Sequence, residues 1–224
     1  MANLQDSFLQ SSGPPVKRSA GEWPGSAFYD PNAVRAIQQK VDLLAAHMQK
    51  QQKEHEEAMR NTYQVFELLL QDLDNFVECF EVAFKNRSAE FGGESEPRIQ
   101  YQADPDRSVG ILRILWHAMS FTTRGNTKPL ALNRPGRPPL FTGRIIALNG
   151  DFLDSRSNLQ TANFHDLLEN EIASLYVPAD ASAPAVMSIN HLSGEEFYFH
   201  QADAPRRFLL KVVEIICGGG FFHE

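Results

Sequence analysis

Apolar residues recur at alternating spacings of three and four along two stretches in the first half of the chain. This spacing places side chains on one face of an α-helix and is the heptad pattern of a coiled coil. Asp30 and Pro31 provide an N-cap residue and a proline at the first helical position. The pattern predicts a helical, coiled-coil region over 31–91 whose apolar face oligomerises. The oligomerisation candidates are Val34, Ile37, Val41, Leu44, Met48, Phe66, Leu69, Leu73, Phe76 and Phe80.

The two stretches are separated by a polar segment over 49–57. Gln51 and His55 fall there at positions where the heptad would place apolar residues. The second stretch is also displaced by four residues from the first register, as in a stutter. A bend into a helical hairpin and one long helix both fit this pattern. Because no Gly or Pro interrupts the segment, a continuous helix is favoured.

The remaining residues, 97–224, predict an α+β domain. A candidate strand at 98–102 alternates polar and apolar residues, and 140–148 is a second, mostly apolar strand. Residues 185–190 and 195–201 are typical of a β-hairpin. Helices are predicted over 109–121, where polar residues form a narrow stripe at helical spacing, over 164–176, and over 208–216. The fold class is therefore α+β: a long N-terminal amphipathic or coiled-coil helix, followed by a small domain of about three helices and an antiparallel sheet.

Two segments lack apolar periodicity. Residues 1–30 are rich in Ser, Gly and Pro, which predicts a flexible arm. Residues 125–143 form a connection rich in Gly and Pro. A structureless connection of this length inside a compact domain is usually functional or mobile.

The charge distribution is uneven although the net charge is only −7. The window 107–150 contains seven Arg or Lys residues and no Asp or Glu, so it carries +7 while the rest of the chain carries −14. A basic Pro-rich loop can bind phosphates or an acidic protein surface, or it can be a solvated loop that offsets the acidic remainder. Nucleic acid is the weaker possibility, because the chain is acidic and few aromatic residues flank the loop. The candidate binding residues are Arg124, Lys128, Arg134, Arg137 and Arg144.

Catalytic and metal-binding motifs are not found. There is no phosphate-binding glycine motif, no nucleophile elbow and no cysteine pair at zinc spacing, so no catalytic residue, metal ligand or cofactor is predicted. The two cysteines, Cys79 and Cys217, are expected to be free thiols in a reducing compartment. The first ten residues lack the basic and apolar regions of a secretory signal, and no apolar run could span a membrane. A cytoplasmic protein that does not contact the membrane is expected.

These features favour a non-enzymatic assembly or adaptor protein that oligomerises or docks a partner through its helical region. Its partners would be itself, another protein, or both. The alternative is a nucleic-acid-associated protein that uses the basic window 107–150. An enzyme without a recognisable motif is the third interpretation.

Overall fold

The structure is a computed structural model, and its residues fall into two compact units, 1–47 and 48–224. It is described here for residues 31–87, 99–123, 130–132, 140–152, 169–189 and 196–218. The predicted flexible arm at 1–30 and most of the predicted loop at 125–143 lie outside the described residues.

Helix α1 spans Pro31–Arg87 without interruption over 57 residues. The preference for one continuous helix over a hairpin is therefore confirmed. The two parts of the helix differ in environment: every side chain from 34 to 53 is exposed, whereas burial begins at Ala58.

The unit 48–224 contains an eight-stranded antiparallel sheet with the order β1-β2-β3-β5-β6-β7-β8, and β4 pairs with β5 beside this path. Residues 140–142 of β5 pair with β4, and residues 146–149 of the same strand pair with β3. The strands are β1 Ile99–Ala103, β2 Val109–Ile114, β3 His117–Thr122, β4 Leu130–Leu132, β5 Leu140–Asn149, β6 Glu171–Pro178, β7 Ala185–Ile189 and β8 Glu196–Phe199. The strands predicted at 98–102 and 140–148 and the hairpin of 185–190 with 195–201 correspond to β1, β5 and the β7–β8 pair.

The prediction that the domain after α1 contains about three helices is wrong. In the described part of the chain after α1, the structure has the eight strands and one α-helix, Ala204–Cys217. The segment 109–121 forms β2 and β3, which pair with Ile114 opposite His117. Both faces of this hairpin are buried: Leu112 lies in the main core, and Ile111 lies in a separate cluster with Val109. A strand buried on both faces is apolar nearly throughout, and its few polar residues then imitate the narrow stripe of a buried helix.

The helix predicted over 164–176 is also wrong in its second half. Glu171–Pro178 is strand β6, and every one of its eight residues is buried between β5 and β7. Central strands favour this kind of continuous apolar composition. The first half of that prediction lies outside the described residues.

The second helix, α2, spans Ala204–Cys217 and confirms the helix predicted over 208–216. Gly218 follows its last residue as the C-cap, with a φ of 86° that glycine adopts at low cost. Phe208 and Val212 of α2 share one buried cluster with Phe66 and Leu69 of α1 and with the inner face of the sheet. The second part of α1 is therefore part of the hydrophobic core of this unit.

Helix α1 lies very close to the sheet at Gly143 of β5. A Cβ atom built on Gly143 would lie 2.0 Å from Thr62 Oγ1 and 3.2 Å from the carbonyl oxygen of Ala58, so only glycine fits there. Next to this point, the Asn61 side-chain amide donates hydrogen bonds to the carbonyl oxygens of Pro178 (3.1 Å) and Ala179 (2.8 Å). These contacts fix α1 against β5 and the end of β6.

Candidate functional site

The first part of α1 carries an apolar stripe that no described residue covers. The side chains of this N-terminal stripe are 39% to 62% exposed, and all lie at the predicted heptad positions. Apolar residues scattered singly on a surface are ordinary, but a continuous row of large ones marks a contact surface. The N-terminal stripe consists of Val34, Ile37, Val41, Leu44 and Met48.

Polar side chains near the stripe pair with residues four positions further along α1. Gln38 donates to Asp42 (2.9 Å), and Lys50 lies 3.8 Å from Glu54, each pair four residues apart. Pairs at this spacing stabilise a solvated helix by about 0.2–0.5 kcal/mol each. They support the helix in water and leave its apolar stripe open.

The five oligomerisation candidates of the second stretch lie at the sheet. Phe66, Leu69 and Leu73 are at most 1% exposed in the main core. Phe76 and Phe80 are partly buried against that core, with their ring centroids 6.3 Å apart. Of the two stretches, the N-terminal stripe is the one that remains at the surface.

The candidate basic residues are not brought together by the described structure. Arg124, Lys128, Arg134 and Arg137 lie outside the described residues. Arg144 was expected on or beside an exposed loop, but it lies within β5 and is only 7% exposed. Strand alternation explains the difference, because Arg144 and the core residue Ile145 point to opposite faces, and both faces are buried here.

The guanidinium of Arg144 is paired inside the fold. Its Nε donates to Ser174 Oγ (2.8 Å), and its Nη2 donates to Glu171. Ser174 Oγ in turn donates to Glu171 Oε1 at 2.6 Å, and the Arg144 guanidinium lies 5.8 Å from the centre of the Tyr176 ring. Burial raises the pKa of Tyr176, and the Arg144 charge opposes that shift. Arg144 therefore has a structural environment and does not belong to an exposed basic surface.

A second exposed apolar feature was missed by the sequence analysis. Leu115 and Trp116 form the two-residue turn between β2 and β3, with exposed fractions of 49% and 82%. Leu115 has φ 56°, in the left-handed region where glycine is normally favoured. This turn was not predicted, because the sequence pattern of residues 109–121 predicted a helix.

The described residues contain no group of three or more His, Cys, Asp or Glu side chains that could hold a metal ion. Cys79 and Cys217 are both free. Burial raises the pKa of the Cys217 thiol, which disfavours the reactive thiolate. Cys217 therefore has the character of a structural residue, whereas Cys79 is exposed.

Comparison with known proteins finds no matching family model, no matching curated protein and no matching solved structure. Among the described helices, none combines the length and apolar character needed to cross a membrane.

Proposed function

We propose that this chain is a non-enzymatic assembly or adaptor protein that binds a helical partner through the N-terminal stripe of α1. The observation that carries the proposal is the exposure of five large apolar side chains at consecutive heptad positions, next to which Leu43 is also exposed. A partner helix with the same pattern would interdigitate with these side chains, knob into hole.

The energetics favour reversible association. Complete burial of a Val, Leu, Ile or Met side chain contributes about 1.5–3 kcal/mol. Because the stripe residues are already partly shielded by their own helix, pairing would add about 1 kcal/mol for each of them. Five such contributions from each helix are comparable to the cost of association, about 4–15 kcal/mol. The complex should therefore form and dissociate with concentration.

Isolated helical segments give a further reason to expect a partner. Most helical stability in proteins comes from packing of an apolar face. Residues 34–53 have no such packing among the described residues. Binding along the stripe would supply it.

The alternative of nucleic-acid binding through the window 107–150 is not supported by Arg144, since its guanidinium is engaged with Glu171 and Ser174. We therefore retain the helical surface as the proposed functional site.

The test combines light scattering with hydrogen exchange over a protein concentration series. The variant I37S/L44S removes two stripe residues, and A46S/Q39S changes two exposed positions outside the stripe as its control. We expect the wild type and the control to gain mass as concentration rises and to protect residues 34–53 from exchange. The I37S/L44S variant should do neither. Equal mass gain in I37S/L44S and in the wild type would refute the stripe as the contact surface, and a constant monomer mass with rapid exchange over 34–53 would refute self-association.

A further inference from the structure

We infer that the partner of the N-terminal stripe is the same stripe of a second copy of this chain, bound antiparallel. This inference rests on the proposed function and specifies the occupant of the same surface. Three features of α1 lead to it: where the seam ends, where the helix begins, and which residues each register would bring together.

The seam open to a partner is limited to one part of α1. The heptad positions after Met48 are Gln51, His55, Ala58 and Thr62, at the same alternating spacing. Ala58 and Thr62 are fully buried against the sheet at Gly143. A helix that follows the seam must therefore end before it reaches Ala58.

This limit distinguishes the two orientations of a second copy. In a parallel pair, α1 of the second copy would continue along the seam past position 58, because it also runs to Arg87. That path is already occupied by β5. In an antiparallel pair, the second helix runs toward its own beginning, and α1 begins at Pro31. The helix of an antiparallel second copy can therefore end before it reaches Ala58.

One antiparallel register pairs four of the five stripe residues with apolar residues, and it leaves Val34 opposite Gln51 at each end of the seam. It places Ile37 opposite Met48 of the second copy and Val41 opposite Leu44 of the second copy. The two-fold axis repeats both pairs, which gives four apolar layers. In the same register Pro31 of the second copy falls opposite Glu54, four residues before Ala58.

The neighbouring registers are less favourable. A shift of one heptad in one direction brings Lys40 beside Lys40 of the second copy, and this juxtaposition of like charges is destabilising. A shift of one heptad in the other direction buries Gln51 against Val41 and His55 against Ile37. A polar side chain buried without a hydrogen-bond partner costs about 1–3 kcal/mol. The register that pairs Ile37 with Met48 is therefore favoured, because it separates the two Lys40 side chains and places Gln51 only at the ends of the seam.

Disulfide cross-linking tests the orientation in a full-length chain carrying Cys79→Ser and Cys217→Ser. Single variants Ile37→Cys and Met48→Cys are oxidised separately and as a mixture, with Gln39→Cys plus Ala46→Cys as the off-seam control. Because Ile37 and Met48 are exposed, these substitutions should leave the fold intact, which circular dichroism checks. We expect a cross-linked dimer of twice 25.2 kDa from the mixture and at least tenfold less from either variant alone or from the control.

The possible failures separate this inference from the proposed function. Efficient cross-linking of each single variant with itself would show a parallel dimer, so the antiparallel inference would be wrong while the stripe would still be an interface. A monomer with residues 34–53 protected would show that the stripe does not bind a second copy. A monomer that exchanges rapidly there, with no cross-link in any mixture, would exclude a second copy as the partner and leave the stripe exposed for the helix of a different protein.

Discussion

Leu115 adopts a backbone conformation that costs free energy and leaves its side chain in water. A non-glycine residue in the left-handed region is destabilised by about 1–2 kcal/mol. Leu115 occupies the first position of the two-residue turn after β2, with φ 56°, where glycine is the preferred residue.

Leu115→Gly should therefore stabilise the fold. Removal of the strain is offset by the greater conformational entropy of glycine in the unfolded chain, about 0.5–1 kcal/mol. We expect the free energy of unfolding in urea to rise by up to about 1.5 kcal/mol. Trp116→Ser is the control and should change it by no more than about 0.5 kcal/mol, since Trp116 is exposed. Loss of stability in Leu115→Gly would show that the Leu115 side chain contributes contacts that outweigh its strain.

The buried ion pair of Arg144 and Glu171 gives a second prediction at the scale of single residues. Glu171→Gln should destabilise the protein by about 3–5 kcal/mol, because it removes the carboxylate charge that Arg144 contacts in a buried ion pair. Glu67→Gln breaks the exposed Glu67–Arg107 pair and should cost at most about 1 kcal/mol. Denaturation with urea measures both variants. Equal effects in the two variants would contradict a special role for burial.

At the scale of secondary-structure elements, the contact of α1 with β5 is predicted to be intolerant of added volume. In Gly143→Ala, the new Cβ would meet Thr62 Oγ1 at 2.0 Å and Thr62 Cβ at 2.8 Å. We expect a loss of about 1–3 kcal/mol, the usual cost of overpacking a close-packed site. The melting temperature and the free energy of unfolding in urea would both report this loss.

Gly110→Ala provides the matched comparison on the same face of the sheet. Its new Cβ would lie 2.6 Å from Leu70 Cδ2, the end of a flexible side chain that can move. This variant should therefore lose less stability than Gly143→Ala. The opposite ranking would mean that the helix shifts more easily at Thr62 than the static contact distances indicate.

The elements differ in how far the sequence could predict them. The long helix α1 was predictable because its heptad spacing continues for many turns without Gly or Pro, and α2 was predictable from its helical polar stripe. The segments 109–121 and 171–176 were not, because strands buried on both faces lose the polar–apolar alternation that identifies a strand. Periodicity also identifies an apolar helix face without saying what covers it. Phe66 and Ile37 follow the same spacing, yet Phe66 packs on the sheet and Ile37 is exposed.

At the scale of the whole molecule, folding and association are predicted to depend on different parts of α1. The residues that bind the sheet begin at Ala58, and the N-terminal stripe ends at Met48. Stability should therefore reside in the residues from Ala58 onward, and association in residues 34–48. Because of this separation, partners could bind to the stripe and dissociate from it while the domain stays folded.

Two truncated chains test this separation. A chain that begins at residue 48 keeps every buried residue of α1 and should melt within a few degrees of the full chain, yet stay monomeric at all concentrations. A chain that begins at residue 63 loses Ala58, Thr62 and the two hydrogen bonds from Asn61 to the end of β6. If that loss is about 3 kcal/mol, its melting temperature should fall by roughly 6–12 °C. Calorimetry and light scattering measure the two properties separately. A large fall in melting temperature for the chain that begins at residue 48 would show that residues 1–47 contribute to the folded core, and the assignment of this segment to association alone would be wrong.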